Sequence, residues 1–98
     1  MEESYIASRS WRNARAFITV ENGKVSVHGK FYEEMGYRRM SFPGPCIKNL
    51  AVLPEALMEE VQQRDQLLIP GEMSPELKRF VAQIWAQAEE IEPWFKVK

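Results

Sequence analysis

The 98-residue sequence contains one cysteine, one histidine and one aspartate, which are Cys46, His28 and Asp65. A single cysteine excludes an internal disulfide and is typical of proteins from a reducing compartment. This scarcity leaves no Cys-x-x-Cys pair and no paired histidines, and the scattered glycines form no phosphate-binding loop. The chain also lacks the run of about 18 apolar residues that a membrane-spanning helix needs. We therefore expect no cofactor, no metal site and no membrane association.

The three scarce residues could form only one nucleophilic set, and no nucleophile-elbow or helix-start motif surrounds any of them. We interpret His28 as a strand residue on a solvent-facing side and Cys46 as a small buried hydrophobe. The paired acids, such as Glu59-Glu60, diverge by about 100° on a helix and cannot face each other across a pocket. The sequence therefore predicts a protein without enzymatic activity.

The composition is that of a globular domain, with 45% apolar and 28% charged residues. The length predicts a single domain over residues 1–98. A net charge of −1 hides an asymmetry, because residues 1–50 carry eight basic and five acidic groups, and residues 51–98 carry five and nine. Such a dipolar molecule can be steered toward a charged partner, and a solvated charged surface without a partner is the alternative. Two acids precede any apolar run at the N-terminus, so we expect no secretory signal and a cytoplasmic location.

The first half of the sequence is rich in strand signals. Residues 14–20 combine β-branched and aromatic residues, and residues 24–28 alternate apolar with polar ones. Asn22-Gly23 between them predicts a two-residue hairpin turn that pairs Val20 with Val25. Residues 37–42 could add a third strand, after a turn or one helical turn at residues 33–36. Pro43-Gly44-Pro45 marks the expected end of this β-rich part, because proline cannot donate to a strand ladder.

The second half of the sequence predicts two helices. Pro54 opens the first, which is predicted to run to about Leu68, and Ile69-Pro70-Gly71 stops it. Ser74 is the expected N-cap of the second helix, with Pro75 at its first position, and Pro93 ends it. Its apolar stripe predicts these buried residues: Leu77, Phe80, Val81, Ile84, Ala88 and Ile91.

These elements predict an α+β fold. The expected architecture is an N-terminal antiparallel β-hairpin or three-stranded sheet over residues 1–45, packed against a C-terminal helical hairpin over residues 46–98.

Two segments mix basic and aromatic residues, which is typical of binding surfaces. They are residues 11–15 and 37–39, and a two-aromatic tail follows the last proline. Arginine and aromatic residues are enriched at protein-binding hot spots. The sequence pI of 5.9 lies far below the ~9 of DNA-binding domains, so we favour a protein partner over direct nucleic-acid binding. The candidate partner-binding residues are Trp11, Arg12, Arg15, Tyr37, Arg38, Arg39, Trp94 and Phe95. The tail aromatics could instead fold back on the sheet.

Two prolines form a separate hypothesis. Pro45 and Pro70 lie in expected connectors, and connectors run over the protein surface. X-Pro bonds in mobile loops interchange between cis and trans. We therefore consider Pro45 and Pro70 as docking positions for a host prolyl isomerase, with termination of elements in trans as the alternative.

Three segments, residues 11–17, 36–40 and 42–46, together resemble the phage anti-RecBCD proteins. These small phage proteins bind the host recombination nuclease RecBCD through its RecC subunit and alter its activity. The resemblance implies a phage-encoded, non-enzymatic protein in the host cytoplasm that inhibits or redirects a DNA-repair nuclease. A small nucleic-acid-binding regulator that uses the basic-aromatic strands is the alternative.

Overall fold

Four antiparallel strands form one sheet in the order of the sequence. A computed structural model describes residues 4–62 and 70–96. The strands are β1 (Ser4–Trp11), β2 (Ala14–Glu21), β3 (Lys24–Met35) and β4 (Arg38–Val52). Two helices follow, α1 (Glu55–Gln62) and α2 (Pro75–Ile91), with short 3₁₀ turns at Pro70–Glu72 and Pro93–Phe95. The α+β class is therefore confirmed. The connection over residues 63–69, on which the predicted helical hairpin depends, lies outside the described residues.

The predicted β2–β3 hairpin is confirmed in register and in turn conformation. Val20 pairs with Val25 and Ile18 with Val27. Asn22 and Gly23 have φ values of 53° and 76°, as a two-residue turn of this kind requires. The Leu53 amide donates to the Gly23 carbonyl at 2.7 Å, which ties the turn to the chain just before α1.

The prediction that β structure ends at Pro43-Gly44-Pro45 is wrong, because β4 continues through this segment to Val52. The prolines fit because β4 is an edge strand of the sheet, where a missing amide donor costs no ladder hydrogen bond. Register shifts interrupt the β3–β4 pairing beside this segment. The expected boundary between a β-rich and a helical part therefore moves from residue 45 to residue 52.

Two further strand predictions need correction. Residues 33–35 belong to β3, so the turn or helical turn expected over residues 33–36 is misplaced, and Gly36 (φ 64°) instead begins the turn into β4. β1 was not predicted at all. A register shift between Tyr5 and Ala7 leaves the consecutive residues Ile6 and Ala7 both buried, and the core-side position 9 is an arginine, so the alternation of apolar and polar residues that marks a strand is broken.

The core lies between one face of the sheet and the helices. Ile6, Ile18, Val25 and Val27 contribute from the strands, and the helical contribution includes Leu57, Val61, Leu77, Phe80 and Ile84. Ser74 caps α2 as predicted, because its hydroxyl accepts from the Leu77 amide at 3.2 Å. The stripe prediction holds except at Ile91, which is 60% exposed. The turn after Pro93 brings Phe95 into the core instead.

Candidate binding surfaces

The distal ends of β3 and β4 extend beyond the rest of the sheet. β2 pairs with β3 only as far as Phe31, opposite Ala14. Beyond that point the Tyr32 amide donates to the Asn13 carbonyl at 2.7 Å, and from there β3 and β4 pair with each other, from Tyr32 with Ser41 to Met35 with Arg38. We call residues 32–42 the β3–β4 ribbon. Its projection agrees with the elongated shape of the molecule, which measures 46 × 27 × 26 Å.

The β3–β4 ribbon is exposed from residue 33 to its end. Four large apolar side chains are exposed on it, namely Met35, Tyr37, Met40 and Phe42. Tyr37, in the turn, is fully exposed. Cross-strand register places Phe31 opposite Phe42 and Glu33 opposite Met40, so that Met35, Met40 and Phe42 share one face of the ribbon. That face continues from the core side of the sheet, where Phe31 contacts Trp94.

Three predicted partner-binding arginines meet at the base of the ribbon. Arg12, Arg15 and Arg39 line a small cavity of about 150 Å³ together with Tyr32. The Arg39 guanidinium lies 4.8 Å from the centre of the Tyr32 ring, which is a cation–π contact. Arg12 is in the β1–β2 turn, where its φ is 51°. The fold thus joins the two basic segments, residues 11–15 and 37–39, that are far apart in the sequence.

Arg38 is exposed near the tip of the ribbon, whereas the predicted partner-binding residues Trp11, Trp94 and Phe95 form part of the internal packing. The tail folds back, so that the Trp94 ring lies 5.3 Å from Trp11 and 5.2 Å from Phe95. Phe95 is 0% exposed, and its assignment to an accessible surface is therefore wrong. Trp11 and Trp94 are partly buried against the core. Arg9 fixes the same region, because its guanidinium binds Glu89 at 2.6 Å and the Phe95 carbonyl at 3.2 Å.

The structure contradicts the proposed docking of a prolyl isomerase at Pro45 but does not test it at Pro70. Pro45 is half-buried within β4, so its expected place in an exposed connector is wrong. Pro70 begins a 3₁₀ turn, but the preceding Ile69 lies outside the described residues. Docking of a prolyl isomerase at Pro70 stays a prediction.

The sheet face opposite the core, which we call the open face, carries a cluster of aromatic side chains with basic side chains packed against it. Tyr5, Phe17 and His28 form a cluster with centroid separations between 5.8 and 6.5 Å. Arg15 and Lys30 lie 5.9 and 5.6 Å from the centre of the Phe17 ring. Together these groups cover Phe17, which is buried although it points away from the core.

A groove of about 500 Å³ runs beside this cluster on the open face. His28 and Cys46 lie directly opposite each other on β3 and β4, and both line the groove. Cys46 is exposed, so its interpretation as a buried hydrophobe is wrong. Asp65, the third member of the nucleophilic set, lies outside the described residues. Within residues 4–62 and 70–96, no three His, Cys, Asp or Glu side chains are grouped to hold a metal ion.

Charge is segregated between the two sides of the molecule. The open face and its margin carry six basic residues, Arg12, Arg15, Lys24, Lys30, Arg39 and Lys48, beside three acidic ones, Glu21, Glu33 and Glu34. The helical elements have the opposite balance over the described residues, with two basic and seven acidic groups. The net charge of −1 is therefore the sum of a basic and an acidic side.

Reasoning from sequence missed the ribbon residues Met35, Met40 and Phe42 and the open-face residue Tyr5. Gly36-Tyr37 between two strand-like runs is a hairpin signal that could have found the ribbon, because hairpin turns often have glycine at the first central position. No comparable signal marks Tyr5.

No known protein family, curated protein sequence or solved structure matches this chain. Among the described helices, none combines the length and apolar character needed to cross a membrane.

Proposed function

We propose that this protein is a non-enzymatic binding protein whose β3–β4 ribbon docks on a partner protein. The observation that carries this proposal is the exposure of Met35, Tyr37 and Met40 on a ribbon that only two strands hold together. A two-stranded ribbon is marginally stable by itself in water. Methionine, tyrosine and arginine are the residue types enriched at protein interfaces. Burial of this surface by a partner would stabilise both the ribbon and the complex.

The resemblance to phage anti-RecBCD proteins supplies the identity of the partner in this proposal. The partner is the host nuclease RecBCD, contacted through RecC, and the consequence of binding is inhibition or redirection of the nuclease. The segment at residues 36–40, which contributes to the resemblance, is the tip of the ribbon. One of the three segments that carry the resemblance therefore coincides with the exposed tip of the ribbon.

Isothermal titration of the purified protein into purified RecBCD tests the proposal. Arg38→Ser and Arg79→Ser are a matched pair, because both arginines are exposed, one on the ribbon and one on α2. We expect Arg38→Ser or Tyr37→Ser to weaken binding by roughly 30-fold, as for a hot-spot residue, and Arg79→Ser to leave it unchanged. Degradation of linear duplex DNA, measured in the same samples, distinguishes inhibition from redirection.

Two results would contradict the proposal. Equal affinities of the Arg38→Ser and Arg79→Ser variants would remove the ribbon from the interface. The absence of binding heat with purified RecBCD would remove RecC as the partner.

A further inference from the structure

We infer that the open face binds single-stranded nucleic acid, at a surface separate from the ribbon tip. The inference starts from the outward positions of β3, where Lys24, Ser26, His28, Lys30 and Tyr32 succeed one another. Alternate residues of a strand lie on the same face, at about 3.4 Å per residue. These five side chains therefore form a track roughly 27 Å long that runs along β3.

The cations along this track have no carboxylate partners in the structure. Within residues 4–62 and 70–96, none of Arg15, Lys24, Lys30 and Lys48 forms an ion pair. Lys24 and Lys48 both line the 500 Å³ groove, together with Asn22, Ser26 and Asn49 and one carboxylate, that of Glu21, which lies opposite Lys24 in the β2–β3 register. Two lysines against one glutamate leave this groove with a net positive charge. Cations beside amide and hydroxyl groups are suited to phosphate, because each neutralised phosphate releases condensed counterions.

The rings on the same face favour single strands over other polyanions. Tyr5 is partly exposed, and its ring is within 20° of parallel to that of His28. Tyr32 carries Arg39 over its ring at the other end of the track. Proteins that bind single strands combine a basic groove with aromatic rings on which bases stack. A duplex keeps its base faces stacked internally, and a peptide of aspartate and glutamate has no aromatic rings to stack, so neither uses the rings.

The net charge of the chain does not reveal this basic surface, because acidic residues of the helical elements offset it. The helical elements, with their seven acidic groups, pack on the face of the sheet opposite the track. Interactions between exposed charges are screened beyond about 8 Å at physiological ionic strength. The open face therefore presents its own basic potential to a ligand, although the sequence pI is 5.9.

Fluorescence anisotropy with a labelled oligo(dT) of about 20 nucleotides tests the inference on the full-length protein. The double variant Lys24→Gln/Lys48→Gln removes two phosphate partners. We expect the plot of log association constant against log salt concentration to become less steep by about 1.4, because each phosphate contact on a single strand contributes ~0.7 to the steepness. The matched control is Lys78→Gln/Arg79→Gln, which changes the charge equally on the exposed side of α2 and should keep the parent slope.

A second pair of variants tests stacking. Tyr5→Ser removes an aromatic ring and should weaken oligo(dT) binding roughly fivefold or more, as expected for loss of one stacked base. Tyr5→Phe keeps the ring and should restore parent affinity. Circular dichroism and the denaturation midpoint of each variant confirm that the fold is retained.

Four outcomes would overturn the inference. They are the absence of oligo(dT) binding at low salt, equal losses in the open-face and α2 double variants, tighter binding of a duplex of the same length, and equal binding of a polyglutamate peptide. The ribbon proposal is tested separately, since the RecBCD titration uses variants at Tyr37 and Arg38. Failure of one proposal therefore leaves the other in place.

Discussion

At the scale of single residues, the structure assigns Trp94 to packing. Gly29 makes this possible, because a methyl group at position 29 would overlap the Trp94 ring. Gly44 is similarly close, and a Cβ there would lie 3.2 Å from the same ring. Because two glycines on neighbouring strands have no side chain here, the Trp94 indole packs directly on the sheet. Trp11, Phe31 and Phe95 surround this indole.

We predict that Gly29→Ala displaces Trp94. Overpacking of this kind costs about 1–3 kcal/mol of unfolding free energy, and the tryptophan emission should shift to the red as the ring becomes hydrated. Gly71→Ala is the matched control, because nothing lies within 4 Å of a Cβ at that position. Urea denaturation followed by tryptophan fluorescence measures both quantities. Parent-like stability and emission in the Gly29→Ala protein would show that the indole is seated elsewhere.

Arg9 is a second residue with a structural rather than a partner-binding role. Its guanidinium pairs with Glu89 and lies 4.5 Å from the centre of the Trp85 ring. The two paired side chains are 25% and 31% exposed, so the pair is intermediate between a surface and a buried ion pair. We predict a coupling free energy of about 1 kcal/mol between Arg9→Met and Glu89→Gln. Urea denaturation of the two single variants and the double variant measures it, and additive effects would exclude coupling.

At the scale of elements, α2 shows what a sequence pattern can and cannot specify. Its N-cap and most of its buried stripe were predicted, because both depend on neighbours three or four residues away. Ile91 was not, because its exposure depends on Phe95 folding back beneath the end of the helix. The same limit applies to β4, since only the sheet order makes Pro43 and Pro45 compatible with a strand.

The buried face of α2 gives a stability prediction. Phe80→Ala should lower the unfolding free energy by about 3–5 kcal/mol, because truncation of a buried phenylalanine leaves a cavity. Lys78→Ala is the control, since this neighbouring side chain is exposed, and it should change stability by less than about 0.5 kcal/mol. Chemical denaturation compares the two. Similar midpoints for Phe80→Ala and the parent would mean that the buried face of α2 is assigned wrongly.

The β3–β4 ribbon gives a dynamic prediction. Two strands pair there without a third, and the residues from 33 to 42 are exposed. Regions with few buried apolar contacts open locally at low free energy. Amide protons at residues 33–41 should therefore exchange faster than those of residues 16–20 in β2, and a bound partner should slow them. Hydrogen exchange read by mass spectrometry measures this, and uniform protection along β3 would contradict it.

At the scale of the whole molecule, the arrangement of charge matters more than its sum. The sequence halves already showed opposite balances, and this part of the dipole could be predicted. The segregation by face could not, because it depends on which strand positions point away from the core. In β3, for example, Lys24 and Lys30 share the outward side with His28, and Val25 and Val27 point inward. One residue of register shift would reverse that assignment.

This arrangement leads to a prediction that requires no biological partner. At pH 7 a chain with net charge −1 should still bind a sulfonate cation exchanger at low salt, because the basic open face can orient toward the resin. Lys24→Gln/Lys48→Gln should elute at clearly lower salt than Lys78→Gln/Arg79→Gln, although both variants have the same net charge. The difference arises because only the first pair lies on the open face. Co-elution of the two variants would mean that net charge alone governs retention and that the basic side does not act as a unit.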